Sequence, residues 1–180
     1  VKNTRFGQNA GQNLQSGGTQ NVLVGDDAGA ALTTGDKNVA MGVEALTTAT
    51  GDQTNTAIGY RALKTLNQNG VGGNVAVGAQ AGDGVTTGQF NTLIGYFAEA
   101  SANDGTNQIV IGKEVTGTGD NQTVIGNSAQ THVIFGGDAL ISGSAQSTGS
   151  FGEINSAGRI FEQGTSVIDH ATAMAIVFGG

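Results

Sequence analysis

Cysteine, proline and tryptophan are absent from the 180 residues, aromatics make up 5% and charged residues 12%. Without cysteine there is no disulfide framework, no thiolate metal site and no thiol nucleophile. Seven Lys and Arg against 14 Asp and Glu give a formal net charge of -7. That is the opposite of the basic footprint of a nucleic-acid binder. No apolar run reaches the roughly 18 residues of a membrane span. No charged stretch leads into an apolar one as in a secretory leader. The chain opens on Val1 and closes abruptly on Gly179-Gly180, which predicts a piece of a longer protein. Few aromatics beside 32 Gly argue against a thick globular core. The 37% apolar content is nevertheless strictly ordered along the chain, so the composition does not describe a disordered polymer.

The order is a repeat. Asn, three residues ending in an apolar one, then Gly recur as N-T-R-F-G from Asn3, N-V-L-V-G from Asn21 and N-V-A-M-G from Asn38. The unit continues as N-T-A-I-G from Asn55, N-V-A-V-G from Asn74 and N-T-L-I-G from Asn91. Looser copies end at Gly112, Gly126 and Gly136. The anchor glycines are Gly7, Gly25, Gly42, Gly59, Gly78, Gly95, Gly112, Gly126 and Gly136, spaced by 18, 17, 17, 19, 17, 17, 14 and 10. A period near 17 predicts a solenoid of about nine short coils, roughly 40 Å long at about 4.8 Å per rung.

Each column of the repeat carries a physical demand. One residue before the glycine stand Phe6, Val24, Met41, Ile58, Val77, Ile94, Ile111, Ile125 and Phe135, all large and apolar. Three before it stand Thr4, Val22, Val39, Thr56, Val75, Thr92, Ile109, Thr123 and Val133, all β-branched, as a pleated strand prefers. Two residues apart, these columns share one strand face. The column between them, Arg5, Leu23, Ala40, Ala57, Ala76, Leu93, Val110, Val124 and Ile134, faces the other way and is polar only at Arg5. Two apolar faces need two covers. One lines the coil, and no helix-period segment is available to cover the other, so a homo-oligomer is expected. The middle column is taken as the outward side, shielded by sister chains, so that Ala76→Asp should break the assembly.

Ala recurs three residues after the glycine (Ala10, Ala28, Ala45, Ala62, Ala81, Ala98, Ala129, with Val115 the exception) and suggests a tight inward bend. Leu14, Leu32, Ala49, Leu66, Val85 and Ala102, seven after it, form a second inward column. T-x-G and Gly-Asp stretches read as turns. The Asn column should form a ladder of side-chain amides bonding to the backbone of neighbouring coils.

The strings N-Q-I-V-I-G at Asn107 and N-V-A-V-G at Asn74 resemble the head repeat of trimeric autotransporter adhesins, the YadA-like head. The resemblance covers about residues 3 to 136. It departs in period, about 17 against a family repeat nearer 14 to 16. It implies a left-handed parallel β-roll, three chains around one axis, and surface display with adhesion. The Ser/Gly/Thr-rich stretch Ser142 to Gly152 resembles the connectors of bacteriophage fibre proteins.

The expected organisation is thus a β-roll over residues 1–137 and an extended β connector over 138–180. A short hairpin is expected around Asn155 to Gly158, and a strand over Ala171 to Phe178. Chemistry is thin. The phosphate-loop pattern and the calcium-binding nonapeptide are absent, and the adjacent Asp26 and Asp27 diverge on a strand. His132 takes the Asn-equivalent place; either three copies around a trimer axis hold an ion there or, on the simpler reading, it is a polar turn or ladder residue. Tyr60 and Tyr96 both follow anchor glycines; they either face a glycan or cover a junction between protomers, the simpler reading being the junction. No enzyme activity, cofactor, metal, nucleic acid or membrane insertion is expected. The expected function is a rigid homotrimeric spacer or display head of a bacteriophage tail fibre or appendage. Its partners would be other virion proteins and a cell-surface glycan or protein receptor. The alternatives are a bacterial surface adhesin head and the non-catalytic part of a glycan-binding tailspike.

Overall fold

The computed structural model describes residues 2–130, 161–162 and 165–166. The chain divides into two compact units, Val1–Ile134 and Phe135–Gly180. The first holds eight three-residue strands: β1 (Thr4–Phe6), β2 (Val22–Val24), β3 (Val39–Met41), β4 (Thr56–Ile58), β5 (Val75–Val77), β6 (Thr92–Ile94), β7 (Ile109–Ile111) and β8 (Thr123–Ile125). They form one sheet in chain order. Every pairing is parallel and in repeat register: Leu23 lies beside Ala40, Ala40 beside Ala57, and Val110 beside Val124. One repeat therefore makes one turn of a parallel β-solenoid, and the described residues contain no helix. Eight rungs make about seven turns, roughly 34 Å of stack, against the nine coils the sequence suggested. Ile134, Phe135 and Gly136 of the ninth copy lie outside the described residues, as do Val133 and His132.

The faces of the strand are reversed relative to expectation. Leu23, Ala40, Ala57, Ala76, Leu93 and Val110 are fully buried inside the coil. The flanking β-branched and large apolar columns point outward and are half-buried or exposed. The reason is geometric. In a three-residue strand held between two corners, the middle side chain points to the coil axis and its neighbours point away. Ala76→Asp would therefore bury a charge in the coil itself, and it tests folding rather than assembly.

The interior is narrow, and its volumes compensate across the coil. Where the strand supplies Leu23, the opposite wall has Gly29, whose added Cβ would stand 2.9 Å from a Leu23 methyl. Where the strand supplies Ala40 or Ala57, the opposite wall supplies the buried Leu46 or Leu63. Large faces small at these rungs, as close packing requires; at the Ala76 rung the facing residue is Gly82, and the neighbouring Leu63 and Leu93 fill the space, their methyls 2.8 Å from where a Gly82 Cβ would stand. The Ala column is buried from Ala10 to Ala98, continues with Val115 and ends on an exposed Ala129. Leu32, Ala49, Leu66 and Val85 are buried as expected, Leu14 is half-buried, and Ala102 is exposed, with Ala100 buried instead.

Three columns of left-handed backbone make the corners, one of them the Gly11, Gly29, Leu46, Leu63 and Gly82 column four residues after the anchor glycine. A second precedes the ladder residue: Gln20, Lys37, Thr54, Gly73, Phe90, Asn107 and Asn121, with φ between 54 and 61. Another lies two residues after the anchor glycine: Asn9, Asp27, Glu44, Arg61, Gln80, Phe97 and Glu114, with φ between 54 and 58. The Asn ladder runs between these last two columns. The backbone N–H of Asn38 donates to Asn21 Oδ1 at 2.9 Å, that of Asn55 to Asn38 Oδ1 at 2.9 Å and that of Asn91 to Asn74 Oδ1 at 3.0 Å. The amides of Asn21, Asn38, Asn74 and Asn91 also close their own coils, as in Asn38 Nδ2 donating to the Asp52 carbonyl at 2.7 Å, while Asn55 Nδ2 donates to the Gln53 carbonyl at 3.0 Å. Gln108 ends this series, its N–H donating to Asn91 Oδ1 at 3.0 Å. Buried polar groups are thereby satisfied rung by rung.

In the second unit, β9 (Phe161–Glu162) pairs antiparallel with β10 (Thr165–Ser166). The hairpin expected around Asn155 to Gly158, the connector 138–150 and the segment 171–178 lie outside the described residues.

Candidate functional site

The outward face of the sheet is the largest feature. Val22, Val24, Val39, Met41, Ile58, Val75, Val77, Ile94, Ile109, Ile111 and Ile125 line it, interleaved with Thr56, Thr92 and Thr123. The residue after each anchor glycine widens the face, contributing exposed Val43, Tyr60 and Tyr96. Phe6, at its first rung, is 77% exposed. The strip is about 34 Å long and, at ~3.3 Å per residue over five residues, on the order of 500 Å² in projection. That is the scale at which an exposed apolar patch signals an interaction surface. Val124, assigned to the core, is half-buried beneath it.

Tyr60 and Tyr96 do occupy the same register, each 48% exposed, two rungs apart with Ala79 between them. They lie about 10 Å from each other along the stack. Each is braced by its own neighbour: the Arg61 guanidinium sits 5.6 Å from the Tyr60 ring centroid, and the Phe97 ring 5.7 Å from that of Tyr96, tilted by 59°. They mark the edge of the sheet face rather than a joined platform.

Around that edge lies a second feature that the repeat columns do not announce, an open groove of about 740 Å³. Arg61 and Lys64 form one wall, Gly84 lies in the lining between, and Phe97 and Glu99 form the other, with Asp83 beside them. The basic wall is set by Glu44, which takes Lys64 Nζ at 2.6 Å and Arg61 Nε at 3.0 Å. The Lys64 hydrogen bond holds the Glu44 carboxyl below its ordinary value, aided by both cations and opposed by partial burial. Glu99 goes the other way. Burial pushes its carboxyl up to about 7, the Asp83 charge adds to the rise, and the Gly84 N–H, 3.3 Å from each Glu99 oxygen, only partly offsets it.

The signal that would have found this groove lies in exceptions to the columns. Phe97 occupies a corner where the other described rungs carry Asn9, Asp27, Glu44, Arg61, Gln80 and Glu114. Glu99 stands where earlier rungs carry Gly11, Gly29, Leu46, Leu63 and Gly82. Asp26 is exposed, and Asp27 accepts a hydrogen bond from Asn9 Nδ2 at 3.0 Å rather than joining Asp26 in a site. Among the described residues no three His, Asp or Glu side chains gather as metal ligands, and no helix is long and apolar enough to cross a membrane.

No protein-family model matches the chain, and the searches of curated proteins and of solved structures returned no significant match. The parallel β-solenoid is compatible with a β-roll repeat, and the likeness to YadA-like heads stays a likeness of the repeat.

Proposed function

We propose that this chain is a non-enzymatic structural segment of a bacteriophage tail fibre or appendage, acting as a rigid homotrimeric spacer or display head in host attachment. The observation that carries the reading is the continuous outward apolar strip from Phe6 to Ile125. Among the described residues there is no helix and nothing lies over that strip, and closed symmetric association of identical chains is the common way to cover such a face. Three copies, and a left-handed coil, follow from the resemblance to the adhesin head. The mechanism is mechanical: in-register rungs, a buried amide ladder and close-packed coils resist bending without any loaded ligand.

Antibodies against the repeat, applied to purified particles and to bacterial surfaces under the electron microscope, test the assignment. Decoration of virion fibres supports it. Decoration of the bacterial surface alone rejects it in favour of an adhesin head.

A further inference from the structure

We infer that the groove between Arg61 and Phe97 is a binding site for a neutral oligosaccharide, distinct from the assembly face. Phe97 is the starting point. It is 39% exposed, so it contributes little to the coil interior, and its φ of 54 is unfavourable for a bulky side chain. A residue that serves neither packing nor backbone preference is a candidate for function. Its ring is fixed against Tyr96 at 5.7 Å, so it enters the groove wall already oriented.

The remaining lining selects the ligand class. The cations Arg61 and Lys64 are committed to Glu44, and across Gly84 stand the carboxyl groups of Asp83 and Glu99. With Glu44 counted, two cations face three carboxyl groups, so no strong excess of either charge is left to attract an ion. A ring with a C–H face for Phe97 and hydroxyls at its rim fits: the aromatic face is the negative end of a quadrupole and meets polarised C–H groups, and a carboxyl group takes hydroxyl hydrogen bonds, donating one as well when protonated. The volume of about 740 Å³ falls in the ordinary range of small-ligand sites. Gly84 keeps the middle of the groove open. A Cβ there meets only the Glu99 carboxylate, 3.3 Å away at its nearest. A larger side chain at this position would therefore fill the groove without touching the coil interior. The site does not depend on the fibre assignment.

The test is an array of neutral and acidic oligosaccharides probed with the full chain, followed by calorimetric titration of the strongest neutral hit. Phe97→Ala and Gly84→Leu are compared with the unaltered chain, with thermal midpoint and oligomer mass measured alongside. The expected result is binding of neutral sugars, weakened at least tenfold by each variant at unchanged mass. Recognition of acidic sugars alone, no sugar bound, or affinity indifferent to both variants overturns the proposal. A changed mass in Phe97→Ala also overturns it, by making the groove a contact between copies of the chain.

Discussion

The carbonyl oxygen of Gly59 sits 2.3 Å from where a Cβ on Gly42 would be, at a residue whose φ is +143. Both the backbone conformation and the stacking distance therefore demand glycine, and the same holds along the anchor column up to Gly95. Gly42→Ala should destabilise the solenoid by about 1–3 kcal/mol. Gly70→Ala, with nothing within 4 Å, should change it by less than about 0.5 kcal/mol. Chemical denaturation of the two variants checks the contrast, and equal midpoints would refute it.

The ladder makes a local prediction. Asn38 Oδ1 accepts the buried backbone N–H of Asn55 and its Nδ2, so Asn38→Ala leaves a buried donor without a partner, a loss of about 1–3 kcal/mol. Amide hydrogen exchange should speed up at Asn55 well beyond any change at distant rungs. Uniform exchange across the stack would mean that the ladder is not a local clamp.

The two strand faces separate by mutation. Ala76→Asp should abolish the β-sheet circular dichroism signal, because an unpaired charge would lie in the sealed coil. Ile58→Asp and Ile94→Asp, on the outward face, should keep the fold and lose the assembly. If Ala76→Asp folds normally while Ile94→Asp unfolds, the orientation of the strands is wrong.

The pH dependence follows from Glu99. Its carboxyl titrates at about 7 in the fold, against an ordinary value of 4.5. The folded state thus holds a proton that the unfolded state releases, and between those values stability should fall as pH rises. Glu44 has the opposite sign: lowered in the fold, it stabilises above its ordinary value and the gain is lost in acid. Thermal melts from pH 4.5 to 8 should decline, and Glu99→Gln should flatten the decline. A variant that parallels the unaltered chain would remove Glu99 from the account.

Spacing made the rungs, register, Gly column and amide ladder legible, because each is a one-residue-per-turn demand that repeats. What spacing did not reveal was which strand face is inside. Leu23, Ala57 and Leu93 are apolar, and so are Val24, Ile58 and Ile94; the decision came from the corners. Those corners use left-handed Lys37, Thr54, Glu44 and Arg61, residue types whose sequence gives no hint of positive φ. Leu46 and Leu63 were missed as core for a related reason: they are left-handed residues facing Ala-sized rungs, and their columns contain Gly elsewhere. The groove escaped notice because it is made of departures from the repeat, at Phe97 and Glu99, which a search for columns averages away.

Identical chains are proposed to cover the outward strip from Phe6 to Ile125. Sedimentation equilibrium of the full chain measures it most directly. A single species of three times the 17.9 kDa chain mass is expected, falling to one chain in Ile94→Asp. A stable, folded 17.9 kDa monomer at all concentrations would contradict it.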